Sequence, residues 1–355
     1  MDKIGVALLG CGGVAARYRS VYKNLGNSRV VIAIDTSEEQ ARTAALDCSA
    51  DRWSTRVEDA FDDPVEAVVI STPNYLHRDH AIAAIAAGKH VLLQKPMARS
   101  VSEAEEILRA YEHSQRSRSF AIYMNMLDNP VYWDLRDLVA SGRLGKIVIV
   151  SARLAHRGGL AAEAQTVSWR ASTNLCGGGS FLMLGLHYIH LLQWILNDRI
   201  TRISAMSRNL VCKQLEGDDV TIAHLEFSNG TLGDVQSSWC AREEHLSLLG
   251  THGGVHYQSN RNLEVWSEYG PFRGHRLNIV GDGKTESFTD VFPPRWDDAL
   301  NPFNQHRQFI ESIQNQSNPA VTATEGLQNL RVVAAGYDAS GYESTKHVDL
   351  TVTPK

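Results

Sequence analysis

The feature that most constrains this chain lies at its start: a continuous apolar run, Ile4–Leu9, that breaks into Gly10-Cys11-Gly12-Gly13-Val14-Ala15. A strand with no polar alternation suits a sheet covered on both faces, and such sheets are parallel, with helical crossovers between strands. The turn residues fit that reading. Gly10 makes the tight turn, Gly12 lets backbone N–H groups approach a ligand, and the small Ala15 lets the next helix pack close to the strand. A helix N-terminus placed there favours a negative group such as a pyrophosphate.

The alternation continues. A helix is expected over Gly13–Leu25, a strand over Val30–Ile34 ending at Asp35, a helix over Glu38–Leu46 and a strand over Ala67–Ser71. Tyr75–Ala87 reads as a helix closed by Gly88, His90–Leu93 as a strand, and Ser100-Val101-Ser102-Glu103 as a capping-box start to another helix. Such alternation predicts a doubly wound parallel sheet with right-handed crossovers.

After about residue 120 the rhythm changes to longer strand-like runs at Lys146–Leu154, Ile200–Met206, Val220–Phe227, Thr231–Trp239, His245–Leu249, Leu263–Trp266 and Leu277–Val280. Phe227-Ser228-Asn229-Gly230-Thr231 predicts a hairpin, because Asn-Gly accepts the positive φ of a tight turn. Helices are expected over Gly179–Leu196, Pro302–Gln314 and Glu325–Tyr342, with a closing strand at Val348–Val352. The fold class is therefore α/β: an N-terminal Rossmann domain over residues 1–121 and an α+β domain with a mostly antiparallel open sheet over residues 122–355. With 355 residues, two domains are the natural division.

Composition excludes several classes. Lys+Arg 35 against Asp+Glu 40 gives a formal charge of −5, which offers no basic footprint for nucleic acid. Cys11, Cys48, Cys176, Cys212 and Cys240 are scattered without a Cys-x-x-Cys pair, so reduced thiols in a cytoplasm are expected rather than disulfides or a zinc knuckle. The apolar start is short and carries Asp2, unlike a secretory leader. Leu182–Leu196 is interrupted by His187, His190 and Gln193 and falls short of the roughly 20 residues a bilayer needs. It reads as a buried helix, so no membrane association is expected.

Asp35 ends the second strand about 20 residues beyond the glycine turn, where a carboxylate can take ribose hydroxyls. Together with the turn this predicts a dinucleotide site. Thr36 and Ser37 follow without an arginine to neutralise a 2′-phosphate, which favours NAD over NADP; Arg17 and Arg42 are the residues that could oppose that preference.

Further residues form a pattern. Thr72-Pro73-Asn74-Tyr75-Leu76-His77 follows the third predicted strand and Gln94-Lys95-Pro96 the fourth; Trp169-Arg170, Gly177-Gly178-Gly179 and Gly185-x-His187 come later. In order and spacing the chain resembles the glucose–fructose oxidoreductase, inositol dehydrogenase and rhizopine-catabolism family, Gfo/Idh/MocA, nearly end to end. The resemblance implies a nicotinamide cofactor at a cleft, and a homo-oligomer formed through the C-terminal sheet. It implies cofactor contacts from Gly10, Gly12, Gly13, Val14, Ala15, Asp35, Thr36, Ser71, Thr72, Pro73, Asn74, His77, Gln94, Lys95, Trp169 and Arg170. It implies substrate contacts from Lys95, Tyr123, Arg157, Arg170, Met183, His187 and His190, with Lys95 and His187 catalytic. An ammonium at Lys95 can stabilise a developing alkoxide as hydride leaves. An imidazole at His187 has an ordinary pKa suited to proton exchange near neutrality.

Departures from the family pattern matter as much. The usual aspartate four residues before the histidine is Met183, the usual aspartate three residues after it is His190, and the usual Glu-Lys-Pro reads Gln94-Lys95-Pro96. Without a neighbouring carboxylate, Lys95 is expected to deprotonate more easily than its family counterpart. A site with fewer carboxylates also suits an anionic substrate. Arg153, His156, Arg157 and Arg170 form either an anion clamp or a solvated face. His187 and His190 alone do not make a zinc site, so no metal is expected. The leading expectation is an NAD-dependent oxidoreductase acting on a secondary hydroxyl of a sugar, cyclitol or sugar acid. The alternatives are a redox-neutral enzyme with tightly held NAD, working as a glycosidase, epimerase or lyase through transient oxidation, and a non-catalytic NAD-binding sensor.

Overall fold

The computed structural model describes residues 3–114, 118–159, 169–258, 262–267, 286–288, 301–340 and 348–349. The chain divides into two compact units, one comprising Met1–Asp128 with Pro294–Gln328 and the other Asn129–Pro293 with Asn329–Lys355. The stretch Pro294–Gln328 thus groups with the N-terminal unit, whereas a single boundary after residue 121 assigns it to the second domain.

In the first unit six strands, β1 (Ile4–Leu9), β2 (Ser28–Ile34), β3 (Arg52–Ser54), β4 (Ala67–Ile70), β5 (His90–Gln94) and β6 (Phe120–Tyr123), form one sheet in the order β3-β2-β1-β4-β5-β6. All neighbours are parallel. Helices α1 (Arg19–Asn24), α2 (Glu38–Cys48), α3 (Asn74–Ala86) and α4 (Val101–His113) make the crossovers. The strand order reverses between β1 and β4, which opens a crevice at the carboxyl ends of those strands.

β3 and β6 are absent from the sequence reading. Arg52-Trp53-Ser54 is an edge strand without an apolar run, and Phe120–Tyr123 is only four residues long. The helix expected over Gly13–Leu25 begins instead as a 3-10 turn, Ala15–Arg17, before α1. Two side chains at the break reach back toward the strands: the Tyr18 hydroxyl hydrogen-bonds Ser71 Oγ, and the Arg19 guanidinium donates to the Cys11 carbonyl. The Ser100 cap holds, its hydroxyl accepting from Glu103 N–H at 3.2 Å. Glu103 in turn accepts from Arg99 N–H at 3.1 Å.

The returning segment completes this unit's core. Its helix Gln305–Gln314 places Phe309 and Ile310 in a cluster with Val6, Leu8, Tyr18, Tyr22 and Tyr123. His306, fully buried, lies with its ring 4.0 Å from Tyr18 and 4.4 Å from Tyr123, and its Nδ1 pairs with the Tyr22 hydroxyl at 3.0 Å.

The second unit holds a nine-stranded sheet of β7 (Ile147–Ala155), β8 (Ile200–Arg208), β9 (Val220–Phe227), β10 (Leu232–Ser238), β11 (Glu243–Gly250), β12 (Gly253–Gln258), β13 (Asn262–Ser267), β14 (Glu286–Phe288) and β15 (Val348–Asp349). The order is β14-β13-β12-β11-β7-β10-β9-β8-β15, antiparallel except where β10 runs parallel to β7. The β9–β10 hairpin turns at Gly230 with φ +86°, as its Asn-Gly predicts. β12 is a strand that the sequence reading does not anticipate, and the expected strand Leu277–Val280 lies outside the described residues.

Alternate residues Val150, Ala152, Ala223, Leu225, Val235, Leu246 and Leu248 are buried on one face of this sheet, and helices α5 (Pro130–Ala140) and α6 (Leu186–Leu196) pack with it. The opposite face leaves Ile149, Met206 and Leu232 about half exposed. The stretch Thr173–Leu196, 24 residues, is long and apolar enough to cross a membrane, yet 89% of its most apolar window is buried inside the protein. That burial fits a core helix.

Candidate active site

The glycine turn is built for close approach. Gly10 has φ +90°, a conformation that L side chains resist, and a Cβ there would lie 2.7 Å from the carbonyl carbon of Ser71 and 2.8 Å from the amide of Thr72. The turns after β1 and β4 therefore touch at the point where strand order reverses. At Gly13, by contrast, an added Cβ meets nothing within 4 Å, and this residue is exposed: backbone is laid bare where a phosphate would approach. Ala15 is buried against the core, and Val14 packs partly on it.

Asp35 organises this turn directly. Its carboxylate accepts the Cys11 N–H at 2.8 Å and the Ser37 N–H at 2.9 Å, while Ser37 caps α2 and Thr36 stands exposed between them. A carboxylate oxygen retains a second lone-pair site for a ribose hydroxyl after each such bond. Burial pushes the neighbouring Cys11 thiol up to about 12, with the Asp35 charge adding to it, so this thiol stays protonated. Arg42 is engaged elsewhere, pairing with Glu38 at 2.8 Å and lying 4.6 Å above the Trp53 ring.

On the next turn Ser71, Thr72 and Pro73 are half-buried and Asn74, opening α3, is buried. His77, 1% exposed, spans two backbone segments: Nδ1 lies 2.8 Å from the Pro96 carbonyl oxygen and Nε2 2.9 Å from that of Thr72. Burial lowers its pKa to about 4 although both carbonyls favour the proton, so the ring is neutral and carries one N–H for two acceptors. His77 thereby ties the loop carrying Thr72 to the loop carrying Lys95. Lys95 directly follows β5 and is half-buried, and its peptide bond to Pro96 is cis. Beside it Gln94 is buried, with Nε2 lacking a hydrogen-bond partner. Tyr123, expected at the substrate, lies in the core cluster, its hydroxyl donating to Asp128 at 2.7 Å.

In the second unit, the expected helix Gly179–Leu196 opens as a π turn, Phe181–Gly185, and continues as α6. It carries Met183, His187 and His190, which are 8%, 6% and 3% exposed. Met183 belongs to a cluster with Cys176, Leu184, Cys212, Leu215 and Trp239, against which Trp169 packs. An apolar, polarisable wall therefore stands where the family pattern has a carboxylate. Burial lowers His190 to about 4, and neither ring nitrogen has a hydrogen-bond partner. The Arg170 guanidinium sits 4.3 Å above the Trp169 ring, and Arg157 is exposed just past β7. Arg153 pairs with Glu243 and bonds Gln236 at 2.8 Å, on the sheet rather than in an anion clamp. His156 is exposed and accepts the Gly158 N–H at 2.9 Å. Among the described residues no three His, Cys, Asp or Glu side chains gather as metal ligands.

Two residues of this region escape sequence reasoning. Asp218 and Tyr337 converge on the start of the π turn, and the only signal was an acid pair, Asp218-Asp219, just before an apolar strand. Asp219 has its own work: burial pushes it up, but the N–H groups of Leu210, Cys212 and Val211 outweigh this and hold its carboxyl below the usual range.

A family profile described as an oxidoreductase family with an NAD-binding Rossmann fold matches residues 4–121, and the GFO/IDH/MocA C-terminal domain matches residues 132–256. The chain belongs to the Gfo/Idh/MocA family. Among its relatives, this oxidoreductase is 28% identical to 1,5-anhydro-D-fructose reductase of Ensifer adhaerens, over 91% of this chain and 92% of that protein. It is 24% identical to the NAD(+)-linked scyllo-inositol 2-dehydrogenase of Bacillus subtilis strain 168, over 93% and 92% of the two chains. A levoglucosan dehydrogenase solved with NADH and levoglucosan superposes with a TM-score of 0.84 at 19% identity, covering 99% of this chain and 100% of that one. The open Gly13 backbone, the Gly10 turn and Asp35 at the end of β2 fit a dinucleotide of the kind this family binds.

Proposed function

We propose that the enzyme oxidises a secondary hydroxyl of a sugar, cyclitol or sugar acid with NAD. The observation that carries this reading is the placement of Lys95: half-buried at the carboxyl end of β5, one strand from the crossing point of the β1 and β4 turns. Gly10, Gly12, Gly13 and Asp35 hold the dinucleotide, and bound nicotinamide supplies the hydride acceptor. Asp35, with Arg42 engaged by Glu38 and Trp53, favours NAD over NADP.

Lys95 donates a hydrogen bond to the reacting hydroxyl and steadies the negative charge growing on oxygen as the C–H bond gives up its hydride. His187 exchanges the hydroxyl proton, so the alcohol becomes a ketone and one proton is released. Gln94 adds no negative charge beside Lys95, and Met183 offers no acceptor to a substrate hydroxyl. Both substitutions favour a substrate that is deoxygenated, anhydro or anionic on one face. The enzyme assembles through the open face of its second sheet, where Ile149, Met206, Ile222 and Leu232 are partly exposed, and works in the cytoplasm.

NADH formation over scyllo-inositol, myo-inositol, 1,5-anhydroglucitol, D-glucose and D-gluconate tests this directly. At least one member supports turnover, faster with NAD than with NADP, and Lys95→Ala slows it by about a hundredfold or more. Wild-type turnover in Lys95→Ala would overturn the role of Lys95.

A further inference from the structure

The four N–H groups at the start of a helix have no partner within it, and here they are satisfied from outside in an unusually complete way. The first intrahelical bond runs from Met183 N–H to the Gly179 carbonyl, leaving the amides of Gly179, Ser180, Phe181 and Leu182. Asp218 takes three of them: Gly179 N–H on Oδ1 at 3.1 Å, Phe181 N–H on Oδ2 at 2.9 Å and Ser180 N–H on its carbonyl oxygen at 2.7 Å. The Tyr337 hydroxyl takes Leu182 N–H at 3.1 Å, shares Gly179 N–H at 3.0 Å, and donates to Asp218 Oδ1 at 2.7 Å. Ser180 Oγ and Thr221 Oγ1 donate to Asp218 Oδ2 at 2.8 and 2.9 Å. Asp218 is buried and stands 39 residues from Gly179 in sequence, while Tyr337 stands 158 away.

The glycines of this segment acquire a role from that cap. A Cβ on Gly179 would lie 2.1 Å from the Asp218 carbonyl oxygen, and one on Gly178 would lie 2.7 Å from the Tyr337 hydroxyl. Either side chain would displace the cap. What the cap holds is a π turn, whose extra residue rotates everything after it by roughly one position, about 100° around the helix axis. A shift of the first turn would therefore re-aim Met183, His187 and His190 together.

We propose that Asp218 and Tyr337 are positioning residues for hydride transfer: a buried cap that sets the rotation of the helix presenting His187. This rests on the reading of His187 as the proton-exchanging group. The cap acts through that helix, not through the dinucleotide, and this separates it from a general contribution to folding.

The test is a double-mutant cycle in the full-length enzyme, using NAD and whichever of the polyols above gives fastest NADH formation. Tyr337→Phe removes one hydroxyl and is expected to lower kcat about tenfold, and Asp218→Asn about a hundredfold, since misplacement near an ångström costs that much. The NADH affinity from fluorescence titration stays within about twofold of wild type. In a His187→Ala background the same Tyr337→Phe change lowers kcat by less than about twofold, because the group it positions is already gone. If Asp218→Asn does not fold, Tyr337→Phe carries the cycle. An equal fall in both backgrounds, or an unchanged kcat with only a lower melting temperature, overturns the cap. Wild-type turnover in His187→Ala, or no NADH formation with any polyol, overturns the reading of the site and the cap with it.

Discussion

Asp128 offers a quantitative handle on how the returning segment is held. It is fully buried, accepts the Tyr123 hydroxyl at 2.7 Å and the Gln305 N–H at 2.8 Å, and its carbonyl accepts from Asn301 Nδ2 at 2.8 Å. Burial raises its pKa from the ordinary 3.8 to about 7, with the two donors pulling the other way. The folded chain therefore keeps a proton that the unfolded chain has lost between those values. Stability from this group is full below the ordinary carboxylate range and is lost as pH rises through about 7. At 1.36 kcal/mol per pH unit, the whole window is worth on the order of 4 kcal/mol. Asp128→Asn removes the titration while keeping the shape: its amide oxygen accepts from Gln305, and its NH2 donates to a reversed Tyr123 hydroxyl. Denaturant unfolding should find the advantage of the variant over wild type larger near pH 8 than near pH 3 by about 4 kcal/mol, with somewhat under half of that difference already present near pH 5. A variant less stable than wild type near pH 8, with the same pH slope, would refute the argument.

Two substitutions probe the first unit's turns. Gly10→Ala imposes a left-handed conformation worth about 1–2 kcal/mol and drives Cβ into the Ser71–Thr72 backbone, so NADH binding by fluorescence is lost while circular dichroism still reports a folded chain. His77→Ala severs the tie between Thr72 and Pro96 and is expected to weaken NADH binding by about tenfold; His77→Gln, whose amide carries two N–H donors, recovers most of it. Equal affinities in the two variants would show that the tie does not matter.

The first unit was legible because its signals are local. Uninterrupted apolar runs marked β1, β2, β4 and β5, and Gly88 and Ser100 marked helix ends. β3 was missed because an exposed edge strand needs no apolar pattern, and β6 because four residues are too few to show one. The site divided along the same line. Asp35 could be placed from spacing, but its bond to the Cys11 amide depends on the paths of two loops. For Tyr123 and His77 no local pattern shows the partners that packing gives them, Asp128 for the one hydroxyl and two carbonyls for the one imidazole. The Asp218–Tyr337 cap was invisible because its members are scattered through the chain and meet only in the fold.

The return of Pro294–Gln328 to the first unit also bears on how the chain is made. On a ribosome the first 128 residues emerge with the faces of Tyr18, Tyr22 and Tyr123 still lacking His306, Phe309 and Ile310. The contacts that finish this core span some 280 residues, as between Tyr22 and His306, so loop closure must follow synthesis of nearly the whole second unit. The dinucleotide-binding half is thus the first to be started and among the last to be completed. Until then its apolar aromatic surface is open to chaperones and to other nascent chains.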